Sequence, residues 1–261
     1  MATQPPQGLP ILYKDLVPLQ SSVHANYKTQ AAETANYFSD HHAFPLTVDE
    51  FVHAQRHFPI VFSAGDNPVP LALMGLNDGV NTFVGEDGQA INPFYVPAYI
   101  RRYPFMLARL QPDAQEMSLC FDPQSSFVGE LDEGLPLFEN EKPTENLNNI
   151  MKFCEDFEIA AQRTAQFMTV LKTLDLLIPG EVSIQVDGSE QPYLYSGFQM
   201  IAEDKLRELH GDQLRKINQN GILQLALAHI FSLSLMRDLF GRQMALGKVP
   251  PQQTLVPAGN A

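Results

Sequence analysis

The stretch 59–104 limits the fold more than any other part of the chain. Turn-forming clusters interrupt it at Gly65-Asp66-Asn67-Pro68, at Asn77-Asp78-Gly79 and at Glu86-Asp87-Gly88, so no long helix fits between them. The intervening runs suit strands. Val61 and Phe62 are β-formers, and 69–76 is almost continuously apolar, as in a strand covered on both faces. Asn77-Asp78-Gly79 is a hairpin turn leading to a further strand at 81–84. The spacing predicts an antiparallel meander. Beyond it, Pro97 suits the first turn of a short helix that Pro104 ends, with Arg101 and Arg102 at its close.

The flanks supply helices. Thr47 and Glu50 stand at the two positions of a capping box, with Leu46 and Phe51 at the staple positions, so a helix is predicted over 48–57. Thr144 caps the longest helix, predicted over 145–177 and closed by Pro179-Gly180. Its apolar positions, Leu147, Ile150, Cys154, Phe157, Ala161, Thr164, Met168 and Leu171, alternate at three and four and define one seam. That seam faces the sheet or another subunit, which keeps a homo-oligomer open. Strands are expected at 117–121, 182–186 and 193–201, with a turn at Asp187-Gly188. A short helix is expected at 204–210 and a helical region at 212–246 that Gly221 breaks. Residues 11–19 read as an edge strand or extended arm; 20–43 give no assignable pattern. Residues 122–143 read as an irregular acidic loop. The fold expected is α+β, an antiparallel sheet packed by the long helix and the C-terminal helices. It is a single domain over 11–246, with a disordered tail at 1–10 and a flexible tail at 247–261.

Composition removes several functions. The net charge of −13 argues against nucleic acid, which needs clustered Lys and Arg, and against an anionic membrane surface. The most apolar window, 222–236, has 15 residues and holds Gln224 and His229; a bilayer span needs roughly 20 apolar residues, so a buried helix is expected. The N-terminal residues lack a basic region followed by an apolar core, and a cytoplasmic location is the default expectation. Cys120 and Cys154, the two cysteines, read as small buried hydrophobes. With no G-x-G-x-x-G or Walker loop, no nucleotide cofactor is supported, and no cofactor is expected.

Several segments together carry a resemblance: Y-x-D-L-V-P-L at 13–19, P-I-V-F at 59–62, P-V-P-L-A-L-x-G-L at 68–76, Y-V-P-A-Y-I-R-R-Y-P-F at 95–105, S-L-C-F-D at 118–122, G-x-P-L-F at 134–138 and A-H-x-x-S-L at 228–233. In that order they resemble the bacterial SapC-like family, over about residues 11–240. The name also belongs to an unrelated peptide-transporter permease, whose spans this chain lacks. The resemblance implies a link to the bacterial surface layer. It also implies gene neighbours encoding flavin-dependent halogenase-like proteins and TonB-dependent receptors. It supplies no catalytic residues.

Two groups of residues are candidates for a site. Arg101 and Arg102, beside Tyr99 and Tyr103, suit bidentate binding of a carboxylate or phosphate; the alternative is an internal ion pair with one of the abundant acids. Changing either arginine to alanine should weaken folding or partner binding. His53 and His57 have the i, i+4 spacing of helical zinc ligands, but the H-E-x-x-H order is missing and Glu50 is explained by capping, so no metal is expected. His229 reads as a hydrogen-bonded core histidine, and Tyr95, Tyr99 and Tyr103 as packing. No catalytic constellation emerges. The leading expectation is a non-enzymatic cytoplasmic binding or accessory protein with an unidentified protein or small-molecule partner. Alternatives are a surface-layer component exported without a signal peptide, and an enzyme with an Arg/His cleft.

Overall fold

A computed structural model describes residues 9–111, 116–186, 188 and 191–249. The tails expected at 1–10 and 247–261 and the turn at Asp187-Gly188 fall mostly outside these residues. The first strands are short: β1 (Val17–Pro18), β2 (Lys28–Thr29) and β3 (Ala43–Pro45). A 3₁₀ turn at Val48–Glu50 runs into α1 (Phe51–Ala54). The hairpin of β4 (Ile60–Ser63) and β5 (Pro70–Leu73) follows. Next come α2 (Ala98–Arg102), β6 (Phe105–Ala108) and β7 (Ser118–Phe121). Two-residue strands β8 (Val128–Gly129), β9 (Leu135–Pro136), β10 (Phe138–Glu139) and β11 (Lys142–Pro143) punctuate the acidic stretch. The long helix α3 (Glu145–Thr173) leads to β12 (Leu177–Ile184) and β13 (Tyr193–Ile201). Helices α4 (Glu203–Arg207), α5 (Gly211–Gln219), α6 (Ile222–Ser232) and α7 (Met236–Ala245) complete the chain.

The α+β class expected from the sequence is the one found. The main sheet is antiparallel, in the order β12-β13-β4-β5-β3. Smaller sheets, β1-β7-β6 and β8-β2-β9, sit apart from it, and β1 is the edge strand anticipated within 11–19. One strand of the expected meander does not form. Residues 81–84 contribute only an isolated bridge from Val84 to Ala90, and β3 takes the place beside β5. Side-chain chemistry explains the exchange. Asn81 Nδ2 donates to the carbonyls of Phe38 and His41, and its Oδ1 accepts from Phe83 N–H, so this stretch is held as a turn. The His42 carbonyl meanwhile accepts from Met74 and Gly75 N–H, which extends the β3–β5 pairing.

The capping box at Thr47 and Glu50 is present. The helix expected over 48–57 is the 3₁₀ turn and α1 followed by tight turns. Thr144 caps α3, its hydroxyl oxygen accepting from Leu147 N–H at 3.3 Å. The helix stops earlier than the sequence suggests. Asp175 adopts φ +53, Leu176 N–H donates to Leu171 O and Asp175 N–H to Lys172 O, the two bonds of a Schellman ending. Pro179 and Gly180 therefore lie inside β12 rather than closing the helix. At about 43 Å, α3 is long enough to cover two cores. Leu147 and Cys154 pack with Phe105, Phe121 and Leu137; Phe167, Met168 and Leu171 pack with Phe44, Phe51 and Phe62 under the main sheet.

Gly221, at φ +82, separates α5 from α6 as the sequence implies. By length and hydropathy alone, Ile222–Ala245 would suffice to cross a bilayer. In the fold, its residues Ala226, Ala228, His229 and Ser232 are buried, and Ser232 Oγ accepts from Ile60 N–H at 2.9 Å. His229 is the core histidine expected. Its ring stacks on Phe62 with centroids 4.6 Å apart, and Nε2 accepts from Ile201 N–H at 3.1 Å. Burial lowers its pKa to about 4. The unfolded chain takes up that proton near pH 6.5 and the folded chain resists it, so stability is complete above that pH and falls as the pH drops toward 4. Between pH 7 and pH 5 the loss amounts to about 2 kcal/mol. Urea denaturation at both pH values should show the wild type losing that much more than His229→Gln. Equal losses would mean that His229 is not a buried neutral group.

Candidate functional site

Helix α2 is one short turn, and its residue spacing sends the two arginines in different directions. Tyr99 and Arg102, three apart, face inward and are buried at 4% and 7% exposure, whereas Arg101 is exposed. Arg101 Nε donates to Val96 O and Nη2 to the Tyr95 hydroxyl, at 3.0 and 3.2 Å, with the guanidinium over the rings of Tyr95 and Phe153. Arg102 enters an aromatic cage. Its Cζ lies 4.2 Å from the Phe157 ring centroid, 4.7 Å from Tyr99 and 6.0 Å from Tyr13. The Arg102 Nη1 stands 3.6 Å from Glu158 Oε1, and its buried Nε has no hydrogen-bond partner. The internal ion pair is thus present for Arg102, but loosely made.

The tyrosines of the 95–103 segment are anchors. Tyr95 donates to Glu50 Oε1 at 3.0 Å, Tyr99 to Ile11 O at 2.9 Å and Tyr103 to Asp122 Oδ2 at 3.2 Å. Burial raises the pKa of all three, that of Tyr95 to about 12; the Arg102 charge opposes the rise at Tyr99. Glu50 does more than cap. Its Oε2 accepts from Thr47 N–H and hydroxyl and its Oε1 from Tyr95 and from Ala98 N–H, the last at 2.6 Å. One carboxylate therefore fixes the start of α2 against the turn before α1. Asp122, fully buried, plays a similar part for Lys14 N–H, Gln124 N–H and Tyr103.

Two cavities meet at Arg102. The first, about 420 Å³, runs along α3 from Phe157 through Ala161, Ala165 and Met168 to Lys172, a span of about 22 Å. Pro68, Val69 and Pro70 form its opposite wall, and Tyr99 and Arg102 lie at the Phe157 end. The second, about 860 Å³, is lined by Arg101, Arg102, Tyr103, Tyr37, Phe153 and Cys154 among others. All four binding candidates read from the sequence line one cavity or the other, and Arg102 alone of them lines both. Cys154 is a poor nucleophile here: burial pushes its thiol to about 12, with Arg102 opposing. Burial also raises the Glu158 carboxyl, again against Arg102.

The two histidine candidates part company: His53 stacks on the Tyr95 ring, which it shares with Arg101, and His57, beside Phe58, does not approach Arg101 or Arg102. The His57 pKa is lowered by burial and by the charges of Arg56 and Arg242, surroundings that repel a cation. Among the described residues, no three His, Cys, Asp or Glu are grouped to hold a metal ion. His57 lines neither of these two cavities. Phe157 was legible only as a position on the α3 seam and Glu158 not at all; both reach Arg102 through the packing of α3.

The 95–103 segment, its cavities and the α3 roof lie within the part of the chain that a family model describes. The SapC family model matches residues 19–239, and the chain belongs to that family. No curated protein and no solved structure matches it.

Proposed function

We propose that this SapC-family chain is a non-catalytic binding protein that holds a small, largely apolar molecule in the cavity between α3 and the 68–70 segment. The observation that carries this reading is the buried Arg102, with an unpartnered Nε, at the end of an apolar cavity of about 420 Å³. That volume falls within the range of small-molecule sites, roughly 300–1,000 Å³. The hydroxyls along the cavity favour recognition over chemistry. Thr47 donates to Glu50, Thr164 to Ala160 O and Thr169 to Ala165 O, so their protons are already committed. The family resemblance sets such a protein beside halogenase-like or TonB-dependent uptake systems, where supplying or receiving a small molecule is an accessory role.

The test uses Nile red, a neutral apolar dye. It should bind saturably at one site, and Ala161→Phe, which fills the cavity from α3, should abolish binding while circular dichroism and melting temperature stay unchanged. Undiminished binding by a folded Ala161→Phe protein would place the site elsewhere and overturn the reading.

A further inference from the structure

We infer that the ligand of this cavity is an apolar monocarboxylate, its tail lying along α3 and its carboxylate on Arg102. The inference rests on the binding-protein reading and names the class of molecule bound. A guanidinium carries five N–H donors and is costly to bury with any of them unmet. At Arg102, Phe157, Tyr99 and Tyr13 attract the charge and the Tyr99 hydroxyl interacts with the guanidinium, but Nε itself has no acceptor. Glu158, at 3.6 Å from Nη1, is beyond good hydrogen-bonding range. Nε is enclosed, so a planar acceptor with two oxygens reaches it together with a terminal nitrogen, the fork that carboxylates make with arginine, only as the side chains around the guanidinium shift aside.

The rest of the cavity disfavours other head groups. A sugar or alcohol finds the threonine protons already donated and offers Arg102 a single neutral acceptor in place of a charged pair of oxygens. A cationic head meets the Arg102 charge. A doubly charged phosphate brings more charge than one guanidinium neutralises away from water. Along the tail, Phe157, Ala161, Met168, Val69 and Pro70 offer apolar contact. Glu158 lines neither cavity; its side chain is 29% exposed, so it turns to solvent as the ligand carboxylate takes over the Arg102 charge from the cavity side.

Decanoate, decanol and decylammonium, each below its aggregation concentration, discriminate the possibilities when titrated calorimetrically into the full chain. Decanoate should bind at one site, roughly tenfold or more tightly than decanol, and decylammonium should bind weakest. Arg102→Met should bring decanoate down to the level of decanol. Glu158→Gln, which removes the competing carboxylate, should tighten decanoate severalfold. If decanol matches decanoate, or Arg102→Met leaves decanoate unchanged, the ligand class is wrong while the cavity remains a binding site. If none of the three binds although Nile red does, the ligand class is likewise wrong. Nile red binding that survives Ala161→Phe defeats the underlying reading itself.

Discussion

Glu50→Ala should lower the free energy of unfolding by about 4 kcal/mol, read from urea denaturation at pH 7. The expectation follows from the number of donors that lose an acceptor. Thr47 N–H, the Thr47 hydroxyl, Ala98 N–H and the Tyr95 hydroxyl all converge on this side chain, which is 5% exposed. Each buried donor left unmet costs about 1–3 kcal/mol, and water reaches only some of them. No cation contacts Glu50 among the described salt bridges, so the loss is one of hydrogen bonds and not of an ion pair. Glu50→Gln keeps one oxygen but turns an NH₂ toward two of the donors, and should cost about half as much. A loss below about 1 kcal/mol for Glu50→Ala would mean that the 47–50 turn and α2 are not joined through this residue.

Arg102→Ala should cost about 3 kcal/mol, whereas Arg102→Met should leave stability within about 1 kcal/mol of wild type or raise it. Alanine opens a void among Phe157, Tyr99 and Tyr13 and leaves Glu158, already partly buried, without its counter-charge. Methionine refills the aromatic cage and removes a guanidinium whose burial is only partly compensated. The two variants therefore separate structural fastening from a binding role. Equal, large losses for both would make Arg102 a fastening of the fold. Loss for alanine alone, with ligand binding lost in the methionine variant, is the result expected of a binding arginine.

The features legible in the sequence were those whose cause is local. The capping box at Thr47 and Glu50, the cap at Thr144 and the break at Gly221 each need only a few neighbouring residues, and each is found. The β4–β5 hairpin was legible because turn residues bracket two short apolar runs. Misreadings arose where distant groups decide. The end of α3 depends on Asp175 in a left-handed conformation, with Lys205 Nζ bonded to its carboxylate from α4, and no glycine marks the place. The strand expected at 81–84 lost its position to β3, from a stretch without a readable pattern. Gly75 had no local signal either: a Cβ there would sit 1.8 Å from Val80 O, so the close return of the chain requires glycine. The arginine pair was legible as a candidate, but not its division into an outward Arg101 and an inward Arg102. That division depends on where α3 packs, as do both cavities.

The most direct test is an NMR titration that follows the Arg102 Nε–H and the methyl groups of Ala161 and Met168 as decanoate is added. The buried Nε–H should give a resolved signal, absent in Arg102→Met, that moves on ligand addition in step with the two methyl signals. Saturable binding with all three signals unmoved would contradict the account.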